Sequence, residues 1–393
     1  MTRRVAPTRV GWTLIGAAGG LFFGAWYLGS IELAVLAVCA ITLVVASLVW
    51  SATRSLAITA QRAVLPAGAS VGSDARAEIT VTNSRGRTSP LYAVTDVFDD
   101  GRRAARFLLA PLPPGESGQG AYRLPTGRRG RFNLGPLAIT THEPFGLSTA
   151  TGRALGVDSV LIRPRIHALT PLPARLRGFD LGHHVTTQFA VDADEFFSLR
   201  EYVVGDDLRR VHWRSSARSG TLMVREDESR RRPAATVILD TSRDGCTADA
   251  FERAIEATAS VCARFTQDGR DARLRAGTQQ LDSLATSLDH LAVVEPNADA
   301  RTFEDNLRYA STQRGIVAIV SAVSHGPALD LARATAARVG RGILVFVGDH
   351  NPPPSDATLL VVPARYGDFA ATWHNTLSSW TVTDSPFAAR SQR

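Results

Sequence analysis

Two apolar runs near the start constrain this chain more than any other feature. Val10 to Gly29 is one run of twenty residues, and Ile31 to Trp50 is a second, interrupted only by Glu32. A helix rises about 1.5 Å per residue, so each run reaches about 30 Å, the thickness of a bilayer's hydrocarbon core. Only Gly29 and Ser30 separate the runs, which predicts an antiparallel helical hairpin. Trp12, Trp26, Tyr27 and Trp50 fall near the run ends, where interfacial aromatics collect. Arg3, Arg4 and Arg9 precede the hairpin, Arg54 and Arg62 follow it, and only Glu32 marks the far side. The bias of arginine toward the inner face then predicts a multi-pass plasma-membrane protein with both termini and every soluble part in the cytoplasm. The rival is a cleaved signal peptide, for which Leu36-Ala37-Val38-Cys39 resembles a lipoprotein box. Val38 is bulky where a small residue is wanted, and two runs are one too many.

The rest of the 393 residues suffices for roughly two further domains. There is no lysine, so all 44 basic residues are arginine, and the net charge is +7. Ordinary inner-face bias explains that charge; attraction to anionic lipid is the alternative. No zinc knuckle, RNA-recognition signature or basic-aromatic platform occurs, so nucleic acid is not an expected partner. Cys39, Cys246 and Cys262 are too few and too scattered for a disulfide framework or a metal cluster.

Residues 55–165 read as a β-sandwich-like domain. Short alternating runs such as Ala77–Thr82, Leu91–Phe98 and Leu137–Thr141 are separated by turn clusters such as Asn83-Ser84-Arg85-Gly86 and Pro113-Pro114-Gly115. Gly127-Arg128-Arg129-Gly130 lacks the Lys-Ser/Thr ending of a phosphate-binding loop and reads as a strand-edge turn. Residues 166–233 read as a connector, with Pro171 and Pro173 at its start. His183 and His184 have no third ligand at usable spacing and read as a solvated loop.

Within that connector, residues 194–228 are the densest run of charge, aromatics and turn residues. Gly205 suits a turn and Asp206 a helix N-cap, predicting a helix from Asp207 to about Arg218, ended by Ser219-Gly220 and followed by a strand through Leu222 and Val224. Arg210, Arg214 and Arg218 would share one face, and Arg209 would lie one turn from Trp213. The plainer reading is a self-neutralising network of these arginines with nearby acids such as Glu201 and Glu226. The sharper one is a recognition surface for a protein partner.

The pattern Phe-Ser-Leu-Arg-x-Tyr-x-x-Gly-Asp-Asp-x-Arg-x-Val-His-Trp, continuing to Ala217-Arg218 and Leu222-x-Val224-Arg225, resembles the signature of the domain-of-unknown-function 58 family of bacterial and archaeal membrane-associated proteins. The matching residues are Leu199, Arg200, Tyr202, Gly205, Asp206, Arg209, Trp213, Ala217, Arg218, Leu222, Val224 and Arg225. His212 departs from the acidic residue common there. Arg129-Gly130-Arg131-Phe132 and Pro144-Phe145-Gly146-Leu147 are supporting matches in the β-rich stretch. The resemblance implies two membrane helices, a β domain, this motif and a von Willebrand A-like domain, working beside a MoxR-type AAA+ ATPase.

From Ala234 to the end, apolar strands alternate with amphipathic helices, which predicts a doubly wound α/β domain over residues 234–393. Its first strand delivers Asp240-Thr241-Ser242-Arg243-Asp244. This resembles the Asp-x-Ser-x-Ser metal-ion-dependent adhesion motif of von Willebrand A domains, which supplies hard oxygen ligands to Mg²⁺. Asp244 replaces the second serine, and Ala322-Val323-Ser324-His325 offers no aspartate after a later strand, which favours a degenerate site over an intact one.

The expected function is a membrane-anchored, cytoplasm-facing interaction module, an adaptor for a MoxR-type ATPase. The interaction residues expected are Arg200, Tyr202, Gly205, Asp206, Arg209, Trp213, Arg218 and Arg225, with Asp240, Ser242 and Asp244 as the candidate Mg²⁺ ligands. Two alternatives stand beside it. One is a divalent-dependent hydrolase using Asp206, Asp207 and His212, against which no nucleophile motif is present. The other is an organiser of anionic lipid through juxtamembrane arginines.

Overall fold

The computed structural model describes residues 3–53, 58–173, 198–203, 211–226, 234–243, 246–297, 299–313, 315–340, 342–364 and 368–383. The chain divides into two units, Met1–Arg165 and Ile166–Arg393.

The first unit opens with a strand, β1 (Arg3–Pro7), followed after Thr8 by helix α1 (Arg9–Leu28) and helix α2 (Ile31–Thr53). Gly29 closes α1 in the left-handed conformation, φ 64°, which lets two long helices reverse over two residues. The buried residues of α1 recur every seven, Gly11, Ala18 and Ala25, as do Ala37, Val44 and Ser51 of α2, with Ser47 buried as well. Small residues at heptad spacing let apolar helices pack closely where hydrophobic contrast is weak. Only α2 is long and apolar enough, by length and composition, to cross a membrane among the described residues. This differs from the expectation of two such spans. Gly11, Gly16, Gly19, Gly20 and Gly24, with Trp12, Trp26 and Tyr27, dilute the apolarity of α1.

The β-rich remainder of this unit forms two antiparallel sheets. One has the order β1, β8 (Ser148–Leu155), β7 (Gly130–His142), β4 (Tyr92–Phe98), β5 (Arg103–Leu109), with β9 (Asp158–Ile162) also on β7. The other is β2 (Ile58–Leu65), β3 (Arg76–Asn83), β6 (Ser117–Arg123). Period-two burial along β3 and β4 turns Ile79, Val81, Tyr92 and Val94 inward against Leu137 and Ile139. A second cluster holds Phe98, Phe132, Leu134 and Ile162. Arg62 lies inside this body, not at a membrane surface. Its side chain is 3% exposed and forks onto Asp96 at 2.6 and 3.0 Å, with Tyr122 donating to the same carboxylate at 2.7 Å.

The second unit carries a mixed sheet of order β14 (Gln279–Leu281), β13 (Asp271–Ala276), β12 (Ala234–Leu239), β15 (Ile316–Ser321), β16 (Gly342–Phe346), β17 (Leu359–Pro363). All neighbours are parallel except β14, an antiparallel edge. Helices cover both faces. On one, Phe251, Ile255 and Phe265 of the helix Ala248–Gln267 pack with Trp373 and Leu377 of the helix Phe369–Thr383. On the other, Phe303 and Leu307 of the helix Ala300–Ala310 pack with Leu329 and Ala336 of the helix Pro327–Val339. Residues 166–173, read from sequence as connector, are part of this core. Leu169 and Leu172 are buried in it, and the Trp373 indole donates to the Thr170 carbonyl at 3.1 Å.

Candidate functional site

The signature stretch builds a small platform around a central strand, β11 (Met223–Glu226). On one side β10 (Ser198–Glu201) pairs with it, setting Leu199 opposite Arg225 and Arg200 opposite Val224. The Tyr202 N–H extends the ladder to the Leu222 carbonyl at 2.8 Å. On the other side Val211 bridges Val224. Val211 is therefore extended, and the helix begins later than its charge pattern predicts. It is α3 (Trp213–Ser219), two turns rather than three. The N-cap is His212, whose Nδ1 accepts from the Ser215 N–H at 3.2 Å, which requires that nitrogen to be unprotonated. Gly220 ends the helix at φ 73°, as the Ser-Gly pair predicts.

Ser216 stitches this helix down. Its hydroxyl donates to the His212 carbonyl at 3.1 Å and accepts from the Met223 N–H at 2.8 Å. With Ser216 buried, the opposite face is presented outward: Trp213 is 67% exposed, and Arg214, Ala217 and Arg218 are exposed beside it. Val203 and Leu222 add exposed apolar surface. Of the expected set the platform presents Tyr202, Trp213 and Arg218, and the backbone pairing of β10 with β11 sets the positions of Arg200 and Arg225 in the same ladder. Gly205, Asp206 and Arg209 lie outside the described residues. The role of Ser216 escaped the sequence reading, because a serine in a short helix carries no pattern of its own.

A second cluster lies at the carboxyl ends of β12 and β15. In chain order the sheet runs third, second, first, fourth, fifth, sixth, so these two strands flank its topological switch point, where open α/β sheets place ligands. Asp240, 8% exposed, follows β12. Its Oδ1 accepts from the Ser242 N–H at 2.9 Å and its Oδ2 from the Ser321 hydroxyl at 2.6 Å. Ser321 in turn accepts from the Val323 N–H at 3.0 Å. Asn297 donates from its backbone to the Thr241 carbonyl at 2.6 Å and closes the loop. Asp349 lies past β16, where it accepts from Thr247 at 2.9 Å and pairs with Arg253 at 2.5 Å. Those two hydrogen bonds hold its carboxyl below the usual range. The Cys246 thiol is pushed up to about 11, first by burial and then by the Asp240 charge, so it stays protonated and is a poor nucleophile.

Asp240 and Ser242 are therefore together as expected, and Asp244 lies outside the described residues. The described donors fit a closed, hydrogen-bonded turn rather than an open coordination sphere. Both oxygens of the one central carboxylate are engaged by protein, and Asp349 is held by Arg253 and Thr247. No group of three histidine, cysteine or acidic side chains converges among the described residues. Ser321 is the member that sequence reading missed. The sequence expectation concerned an aspartate within Ala322–His325, whereas the serine at the strand's own end is the partner of Asp240.

No curated protein matches this chain. Among solved structures, an ApaA protein of Bordetella pertussis is similar at 11% identity, covering 27% of this chain and 89% of its own, with a TM-score of 0.19. The Pseudomonas fluorescens alkylpurine DNA glycosylase AlkC, bound to DNA with an abasic-site analogue, is similar at 16% identity, covering 39% and 44%, with a TM-score of 0.21. A Bacteroides uniformis beta-glucuronidase is similar at 9% identity, covering 83% and 38%, with a TM-score of 0.20. Scores this low carry no argument about fold or activity. The sequence profile described as "Protein of unknown function DUF58" matches residues 198–350, a span holding both the platform and the switch-point cluster.

Proposed function

We propose that this protein is a membrane-anchored interaction module that docks a protein partner on the outward face of α3, with a MoxR-type AAA+ ATPase as that partner. The observation that carries the reading is the exposure of Trp213 on a platform whose backbone is tied down by Ser216 and β11. Tryptophan and arginine are the side chains most enriched at binding hot spots, and a pre-ordered platform reduces the entropy lost on docking. The α/β domain is a von Willebrand A-like fold in this reading. Its strand order and the Asp240 turn at the switch point support that.

Both helices cross the membrane in the proposed arrangement, with the soluble parts in the cytoplasm. β1 precedes α1 and β2 follows α2, yet both belong to one folded body, because β1 pairs with β8. A chain that leaves a body and returns to it crosses an even number of times. If α2 spans, α1 spans with it, and the Gly29 reversal and the heptad interface favour that pairing. Arg4 and Arg9, exposed on the near side, favour the cytoplasmic orientation.

The test is co-purification of a MoxR-type ATPase with the detergent-solubilised full chain. Trp213→Ala and Arg218→Ala alter exposed side chains and leave the fold intact. Loss of a hot-spot tryptophan costs about 2 kcal/mol or more, roughly thirtyfold in Kd. An ATPase retained equally by both variants would remove the docking face from consideration.

A further inference from the structure

Among the described residues the hairpin is fastened to the β domain beside β1 and β8, and most closely at the turn between β7 and β8. Thr8 caps α1, and its N–H and hydroxyl also donate to the Leu147 and Gly146 carbonyls at 2.8 and 2.5 Å. Gly11 packs directly on the turn: a Cβ there would lie 2.2 Å from the Leu147 carbonyl oxygen. From α2, the hydroxyls of Ser47 and Ser51 each lie 2.7 Å from that of Ser148, and all three serines are buried.

The turn is internally satisfied. Glu143 accepts from the N–H groups of Phe145 and Leu147, the Gly146 N–H donates to the Glu143 carbonyl at 3.0 Å, and Pro144 has no N–H. With the Gly146 and Leu147 carbonyls taken by Thr8, little backbone polarity is left to oppose transfer toward lipid. At its tip Phe145 is 70% exposed. Trp12 on α1 is 62% exposed and Trp50 on α2 is 46% exposed.

Height along the helices locates this turn. Ser47 and Ser51 are sixteen and twenty residues beyond Ile31, and Gly11 and Thr8 seventeen and twenty before Leu28, so at about 1.5 Å per residue the fastening lies about 25–30 Å from the hairpin's reversal. That is close to the roughly 30 Å thickness of the hydrocarbon core. Trp26 and Tyr27, 80% and 79% exposed, mark the other end.

We propose that the Pro144-Phe145-Gly146 turn is a third membrane contact, with Phe145 seated at the headgroup–acyl boundary of the bilayer that holds α2. The proposal rests on the membrane reading above. Its partner is the phospholipid interface itself, because the tip is apolar and offers no charge to select a headgroup. Beyond tethering the β domain, this contact fixes the domain's tilt, since a body held at two helices and a separate side chain cannot pivot freely on the bilayer.

The experiment uses the full chain in phospholipid vesicles with an environment-sensitive fluorophore on a single reactive cysteine. One form carries Phe145→Cys with Cys39→Ser and Cys246→Ser; the other keeps the native, exposed Cys39 with Cys246→Ser. Cys262 stays, because burial pushes its thiol up to about 12 and leaves it unreactive. The expected result is blue-shifted emission at position 145, loss of intensity with lipid spin-labelled near the headgroup, and shielding from iodide. Lipid quenching at 39 with water-like emission and iodide quenching at 145 would overturn the contact and leave the span standing. Absence of lipid quenching at both positions would overturn the span and the contact together.

Discussion

Replacing Arg62 by methionine would test what holds the two sheets of the β domain together. Arg62 rises from β2 in one sheet and grips Asp96 of β4 in the other, through Nε at 3.0 Å and Nη2 at 2.6 Å. It also donates to the Leu134 carbonyl at 3.2 Å. Side-chain exposure is 3% for Arg62 and 0% for Asp96, so solvent screens the pair little. The further contact to Asp158 at 2.5 Å reaches a carboxylate that is 62% exposed and adds little. Removing Arg62 strands the Asp96 charge with only the Tyr122 hydroxyl for support. Burial, and then the bond to Asp96, raises the Tyr122 phenol well above its ordinary value, so it remains a donor.

Breaking a buried pair from one side costs about 3–5 kcal/mol. At about 1.4 kcal/mol per factor of ten, amide exchange in β2, β3 and β4 should accelerate roughly one hundred- to several thousand-fold. Hydrogen exchange read by mass spectrometry on the full chain resolves these strands separately from the second unit. The triple variant Arg62→Met, Asp96→Leu, Tyr122→Phe removes the stranded charge and its last donor together, and should recover most of the loss. Acceleration under about tenfold in the single variant, or no recovery in the triple one, would refute the assignment of this network as the clasp between sheets.

Other outcomes follow from single contacts. Trp373→Ala empties a fully buried site and removes the bond to Thr170, so it should destabilise the α/β core by about 3–5 kcal/mol, read as a lower urea midpoint for tertiary fluorescence. Asp240→Asn should lower the Cys246 thiol and speed its alkylation by iodoacetamide a few-fold, since the Asp240 charge adds to burial in holding the thiol protonated. Glu143 should make the β7–β8 turn acid-sensitive. Burial pushes its carboxyl up, but the N–H groups of Phe145, Leu147 and Ser148 and the Ser47 hydroxyl outweigh that and leave it lowered. A lowered folded value stabilises the turn above about pH 4, the ordinary glutamate range, and the stabilisation is lost as pH falls through that folded value. Protection factors in residues 143–148, which correct for the slower intrinsic exchange in acid, should therefore fall as pH drops, and Glu143→Gln should flatten that fall.

Strands buried on both faces announce themselves in composition. Ala234–Leu239, Ile316–Ser321, Gly342–Phe346 and Leu359–Pro363 are apolar runs bounded by turn residues, and all four are strands. Elements held by a neighbour do not announce themselves. β6 contains Gly118 and Gly120, poor strand formers, yet it pairs with β3 because Phe107 fills the space above Gly120; a Cβ there would lie 2.3 Å from that ring. β14 is three residues made by the left-handed Gly277, φ 57°, with Arg275 reaching Gln280 at 2.8 Å. β1 looks like a charged flank, and only its pairing with β8 makes it a strand.

The same division governs the candidate sites. Counting charge places Arg62 with the membrane-flanking arginines, because sequence position stands in for spatial position. Its actual environment is set by Asp96, 34 residues away, and Asp158, 96 away. Helical spacing of arginines predicts α3 from Asp207. The extension of Val211 against Val224 and the acceptor nitrogen of His212 delay it to Trp213, while Asp207 to Arg210 lie outside the described residues. The delay also decides which face is presented. With Ser216 turned down onto β11, the outward positions one and four residues apart are Trp213, Arg214, Ala217 and Arg218, an aromatic–cationic face. Starting at Asp207 would have left the choice of buried face to Leu208, Val211 and Ser215. At the switch point, reading along one loop led to the missing aspartate, whereas the partner of Asp240 is Ser321, at the end of the adjacent parallel strand. Apart from the local cap at His212, the deciding contacts join residues well separated in sequence, so a pattern read along the chain names the participants more reliably than their partners.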